Sequence, residues 1–154
     1  MIDKSTEQKI AELERLVEQV KEIESKEEAK NSLVGYAKFQ MENYLSPPHI
    51  KLLASKLEAV ERGDIRRLAI FMPPRHGKSI LTSEFFPAWY MGRNPDKYII
   101  CSPYAQDLAD DVGRNVRNQL QDKRYTDIFP DAESSTDSPS MRRFNTTTAG
   151  VTLA

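Results

Sequence analysis

The apolar run Leu68-Ala69-Ile70-Phe71 passes directly into Met72-Pro73-Pro74-Arg75-His76-Gly77-Lys78-Ser79, after which Ile80, Leu81, Phe85 and Trp89 recur at helical spacing. A run this short and this apolar predicts a strand buried on both faces of a parallel sheet, and the spacing beyond Lys78 predicts a helix. The residues between them form a loop that delivers the chain to a helix N-terminus. Backbone N–H groups and the helix dipole at such a point favour an anion. Loops that hold phosphate add a lysine that reaches the β- and γ-phosphates and a hydroxyl that holds Mg²⁺. Gly77, Lys78 and Ser79 supply those elements, whereas the first glycine of the general pattern G-x-x-x-x-G-K-[ST] would fall at position 72, which is methionine.

The rest of the chain is punctuated clearly. From Ser5 to Glu28 there is no glycine or proline, and Ile10, Leu13, Val17 and Val20 alternate in steps of three and four, which predicts a helix with a coiled-coil-like stripe. Ser5 and Gln8 have the spacing of a capping box at its start. Two uses of this helix stay open, packing on its own domain or serving as a partner-binding arm. A helical pattern continues from Asn31 to Tyr44 through Leu33, Tyr36, Ala37 and Gln40, and Ser46-Pro47-Pro48 breaks it. His49 to Glu61 predicts a further helix ending at Gly63.

Downstream, Gly92 to Asp96 reads as a turn and Tyr98 to Cys101 as a second buried strand. Ser102 then caps a helix with Pro103 at its first position and a stripe of Leu108, Val112, Val116 and Leu120. Two strand-then-helix units in succession predict an α/β fold with right-handed crossovers and a parallel sheet. After the polar stretch from Asp131 to Ser140, the segments around Arg143–Thr148 and Val151–Leu153, joined by Ala149-Gly150, predict a β-hairpin.

Pro73-Pro74-Arg75-His76-Gly77-Lys78-Ser79, followed by Phe86-Pro87-Ala88-Trp89-Tyr90-Met91-Gly92-Arg93-Asn94-Pro95-Asp96, resembles the large subunit of the tailed-phage terminase. The likeness extends through Pro48-His49 and Gly63 to Leu68, and through Ser102 to Ala109 as far as Asn115-Val116-Arg117. That family's deviant Walker A loop tolerates loss of the first glycine and contains an arginine. The resemblance implies ATP and Mg²⁺ as cofactors, with Pro74, Arg75, His76, Gly77, Lys78 and Ser79 around the phosphates and Ser79 on the metal. Lys78 and Arg75 are the implied catalytic residues. Arg75 is open to two roles, an arginine finger supplied in cis or a phosphate anchor that pairs with a carboxylate. His76 reads as a hydrogen-bonding spacer. His49 falls where related motor ATPases contact the adenine base, although a helix-start histidine is also a common surface residue. Trp89 and Tyr90 belong to the core on position alone.

On this resemblance residues 1–46 form a helical N-terminal extension and residues 47–154 an incomplete P-loop ATPase domain, with the Walker B acidic residue and the nuclease domain absent. The implied whole is an ATP-driven motor and endonuclease acting in the bacterial host cytoplasm, with double-stranded viral DNA, the portal and the small terminase subunit as partners, and homo-oligomers among its forms. Nucleotide binding is the most expected of this chain alone. Two rivals stand beside it: another P-loop NTPase of helicase type, and a non-catalytic helical interaction module with a vestigial loop.

Composition excludes little. The 154 residues carry a formal net charge of −1, so there is no global electrostatic footprint for nucleic acid. The first thirty residues hold nine acidic against six basic side chains, and residues 31–100 hold ten basic against six acidic. No apolar stretch approaches the length that spans a bilayer, and the N-terminus is charged, so neither a membrane span nor a signal peptide is expected. The single cysteine, Cys101, lies in an apolar run and reads as a small strand residue.

Overall fold

The computed structural model describes residues 4–132, 143–145 and 150–153, with side chains described from Thr6 to Ala132. Its helices are α1 (Lys4–Asn31), α2 (Leu33–Gln40), α3 (Pro48–Glu61), α4 (Phe86–Arg93), α5 (Gln106–Gln121) and α6 (Lys123–Ile128), and its strands are β1 (Ile99–Cys101), β2 (Arg143–Asn145) and β3 (Gly150–Leu153). A π-helical turn, Ile80–Phe85, runs directly into α4.

The architecture is helical, which corrects the expected parallel sheet flanked by helices. Leu68–Phe71, the strand on which that expectation rested, forms no strand. Leu68, Ile70 and Met72 lean on the core while Ala69 and Phe71 are exposed, Phe71 to 92%. The segment is therefore extended with one face covered. A central strand needs a hydrogen-bonded neighbour on each side, and without one its backbone groups turn to solvent. β1 is likewise covered on one face only, with Ile99 and Cys101 partly buried and Ile100 exposed. The sheet that exists is short and mixed: β3 lies between β1, which it pairs in parallel with Ile100 opposite Thr152, and β2, which it pairs antiparallel with Phe144 opposite Val151. The turn predicted at Ala149-Gly150 begins outside the described residues.

The helices α2 to α6 assemble because each contributes apolar side chains to a single aromatic core, which α1 joins only through Ala29 near its C-terminal end. Tyr36 of α2 sits at its centre, with the rings of Phe85, Tyr125 and Phe129 at centroid distances of 6.2–6.3 Å, mostly edge to face. Their polar tips are satisfied. Tyr36 Oη donates to Gln119 Oε1 at 3.0 Å, Tyr125 Oη to the Ala88 carbonyl at 2.9 Å, and Trp89 Nε1 to the Ala29 carbonyl at 3.2 Å. Gly92 lets α4 meet Phe129, since a Cβ there would lie 2.4 Å from the ring.

α3 is tied to its neighbours by its acidic residues. Glu58 accepts from the Leu33 N–H at 2.8 Å, and Glu61 accepts from Arg93 Nε and Asn94 Nδ2 at 3.0 and 3.1 Å. The helix predicted across Asn31–Tyr44 is interrupted instead, because Ser32 turns extended and its side chain caps α2 through the Gly35 N–H. Two cap assignments also shift. Ser5 lies inside α1, and α5 starts at Gln106 with Ala105 as its N-cap, so Ser102-Pro103 lead in as an extended segment. Its buried side is Ala109, Val112, Gly113, Val116 and Leu120, with Leu108 at the edge. No helix among the described residues is long and apolar enough to cross a membrane.

Candidate functional site

The loop 73–79 has an unusual backbone. Arg75 and Gly77 take positive φ values of 63° and 77°, the residues between and beside them do not, and helical winding begins at Lys78. Alternation of negative and positive φ is the backbone pattern from which anion-binding nests are built. A left-handed arginine costs about 1–2 kcal/mol relative to its relaxed conformation, so the loop stores strain at the residue that presents a cation. His76 Nδ1–H donates to the Pro74 carbonyl at 2.8 Å, which closes the turn and fixes the tautomer. Below the loop lies the first turn of α3, and a Cβ on Gly77 would stand 3.1 Å from Ile50 Cδ1.

Behind the loop the helix widens for a local reason. Pro87 has no N–H and its ring conflicts with the carbonyl four residues back in an α-helix. The π-helical turn just before it lengthens the reach, the Phe86 N–H bonding the Leu81 carbonyl, while Thr82 Oγ1 donates to the Lys78 carbonyl at 2.9 Å.

Two cavities flank this backbone and divide the residues that the sequence grouped together. One, of about 400 Å³, is lined by His49, Arg75, His76 and Gly77 with Tyr44, Asn43 and Ile50. The His49 and His76 rings meet edge to face at 5.8 Å. The other, of about 270 Å³, is lined by Ser79, Thr82, Ser83, Glu84, Cys101 and Ser102. Lys78 is half-buried and Pro74 exposed, and neither lines these two cavities. Arg75 and Lys78 make no ion pair among the described residues, whereas Arg62, Arg93, Arg114 and Arg124 each do.

Sequence reasoning did not single out Tyr44 or Glu84. Tyr44 precedes the Ser46-Pro47-Pro48 break and stacks edge-on against Phe85 at 5.5 Å; its hydroxyl is buried without a partner among the described residues, and burial pushes its pKa up. The hydroxyl itself has almost no accessible surface, so it is the rest of the Tyr44 side chain that helps to line the first cavity. Glu84 accepts from Asn115 Nδ2 at 3.1 Å, and burial raises its carboxyl above the ordinary range, an effect the Asn115 bond partly offsets. Burial likewise raises the Cys101 thiol.

As a metal site the second cavity offers one carboxylate and several hydroxyls, and among the described residues no group of three or more His, Cys, Asp or Glu converges. That donor set does not make a resident cation cage. Its oxygen donors are the Glu84 carboxylate and the hydroxyls of Ser79, Thr82, Ser83 and Ser102. Comparison with protein-family models, with curated proteins and with solved structures finds no match.

Proposed function

We propose that the loop 73–79 binds the polyphosphate of a nucleotide, ATP with Mg²⁺, and that the chain belongs to the nucleotide-binding part of a terminase large subunit. The observation that carries the proposal is the alternating backbone at Arg75 and Gly77 leading into a helix at Lys78. Phosphate oxygens lie on the loop's N–H groups, with Lys78 and Arg75 supplying positive charge and Ser79 a metal ligand. The base occupies the cavity lined by His49, His76 and Tyr44, where the rings suit a flat heterocycle. This reading needs a nest and a neighbouring cavity and does not depend on a parallel sheet. On the same reading the setting is the bacterial host cytoplasm, and the wider partners are viral double-stranded DNA, the portal and the small terminase subunit.

Binding is separable from turnover. Glu84 is the one described carboxylate that lines the Ser79 cavity, and it is already engaged by Asn115 Nδ2 at 3.1 Å, so we expect no residue free to orient the attacking water. Thermal unfolding with and without ligand tests the proposal. A ligand at 100 times its Kd stabilises the folded state by about 2.7 kcal/mol, which raises Tm by several degrees. Lys78→Ala is expected to abolish that rise, Arg75→Ala to weaken it, and ATP hydrolysis to stay at background. Wild-type protein that stays folded and shows no shift in millimolar Mg·ATP refutes the proposal.

A further inference from the structure

From Thr6 to Ser25, α1 has no buried residue, and its docking on the body is confined to its C-terminal end, where Lys26 reaches Asp127 at 3.7 Å and Ala29 is fully buried. The free part spans about 30 Å at 1.5 Å per residue. Along it Ile10, Leu13, Leu16, Val17, Val20 and Ile23 stand 44–64% exposed and fall within one stripe at 3.6 residues per turn. A groove on this stripe is lined by Ile10, Leu13, Glu14, Val17, Glu18 and Lys21, all of α1 itself. An isolated helix of this length without packing is marginal in water.

We infer that this stripe is a homodimer interface in which α1 of a second copy lies antiparallel on it. Three observations select that occupant. First, the apolar positions are symmetric about the point between Leu16 and Val17. An antiparallel copy sets Ile10 level with Ile23, Leu13 with Val20 and Leu16 with Val17, so apolar meets apolar along the whole stripe.

Second, the stripe is closed on the same face by Lys9 at one end and by Glu24 and Glu27 at the other. The antiparallel arrangement brings each Lys9 to the Glu24 level of the other copy, and the Glu14 edge toward Lys21 of the facing edge. A parallel arrangement sets Lys9 beside Lys9 and Glu24 beside Glu24. None of Lys9, Glu14, Lys21, Glu24 and Glu27 makes an ion pair among the described residues.

Third, the six side chains expose roughly 600 Å² per copy, which with the flanking methylene stems approaches the about 800 Å² per partner of a standard interface. The acidic balance of the first thirty residues disfavours the other extended partners. Polyanionic nucleic acid is repelled, and helices that lie on membrane surfaces are rich in Lys and Arg on their polar face.

Sedimentation equilibrium of the full chain tests the inference. Dimers are expected in the micromolar range, with Val20→Glu weakening association by at least about tenfold. The body stays folded in that variant because Val20 touches none of the core, and near-ultraviolet circular dichroism checks this. Lys9→Glu should weaken the dimer about tenfold, and adding Glu24→Lys and Glu27→Lys should restore it. In a Cys101→Ser background, Lys9→Cys should cross-link to a Glu24→Cys copy in preference to itself. A wild-type monomer at about 200 μM, where a standard interface would associate, overturns the proposal. So does a dimer indifferent to Val20→Glu, or a Lys9→Cys copy that links preferentially to itself.

Discussion

Gly77→Ala probes the loop at the point where conformation and packing meet. The residue holds φ 77°, and its Cβ would stand 3.1 Å from Ile50 Cδ1. An alanine in the left-handed region costs about 1–2 kcal/mol. The methyl contact adds about 0.5 kcal/mol or more, depending on how far the Ile50 tip yields within a side chain that is 3% exposed. Gly63 supplies the control, since it holds φ 84° with nothing within 4 Å of its would-be Cβ, so Gly63→Ala measures the backbone cost alone. Ile50→Val removes the offending Cδ1 and by itself costs about 1 kcal/mol. In the Gly77→Ala background that removal also relieves a contact, so the double variant is expected to be more stable than the sum of the singles by about 0.5–1 kcal/mol. Urea unfolding at constant m-value gives all four quantities. Strict additivity, or a Gly63→Ala cost equal to that of Gly77→Ala, would refute the claim that α3 braces the loop through Ile50.

Tyr44→Phe removes a buried hydroxyl that has no partner among the described residues, so thermal stability is expected to hold or to rise by up to about 1 kcal/mol. A marked loss of stability would mean that the hydroxyl is bonded after all. Asp122, which caps α6, accepts from the Arg124 backbone N–H at 2.8 Å and from its guanidinium at 3.2 Å, and these bonds, the backbone one first, hold its carboxyl below the ordinary range. A carboxyl depressed in the folded state contributes stability that is present above the unfolded value, near pH 4, and is lost as pH falls through the lower folded value. Asp122→Asn should therefore be less stable than wild type at pH 7 and close to it at pH 2.5; a difference that does not change with pH would contradict this reading.

What the sequence disclosed depended on how local the cause was. Pro47-Pro48 and Gly63 bound α3 by their own backbone restrictions, and the core face of α5 follows from period alone, so both were legible. Leu68–Phe71 was misread because a short apolar run looks the same whether it is sandwiched in a sheet or laid along a helical core, and only its neighbours decide. The π-helical turn was signalled by Pro87, which falls inside the helix predicted from Lys78 through Trp89, but a proline there does not say whether the helix breaks, kinks or widens. For the candidate site, the loop residues were visible as a run, whereas their division between two cavities was not. Tyr44 and Glu84 join those cavities through contacts with Phe85 and Asn115, at separations no periodicity encodes.

Trp89 gives the molecule a built-in optical probe. It is the chain's sole tryptophan, its indole N–H is bonded to the carbonyl of Ala29, and the Arg93 guanidinium covers its ring at 4.9 Å. Its emission therefore reports on a place where the root of α1 is anchored to α4, the helix that continues from the loop 73–79. Detachment of that root would expose the indole to water and shift the emission red, whereas association of the distal stripe would leave it unchanged. Two events on the same long helix thus separate spectroscopically without any label being introduced.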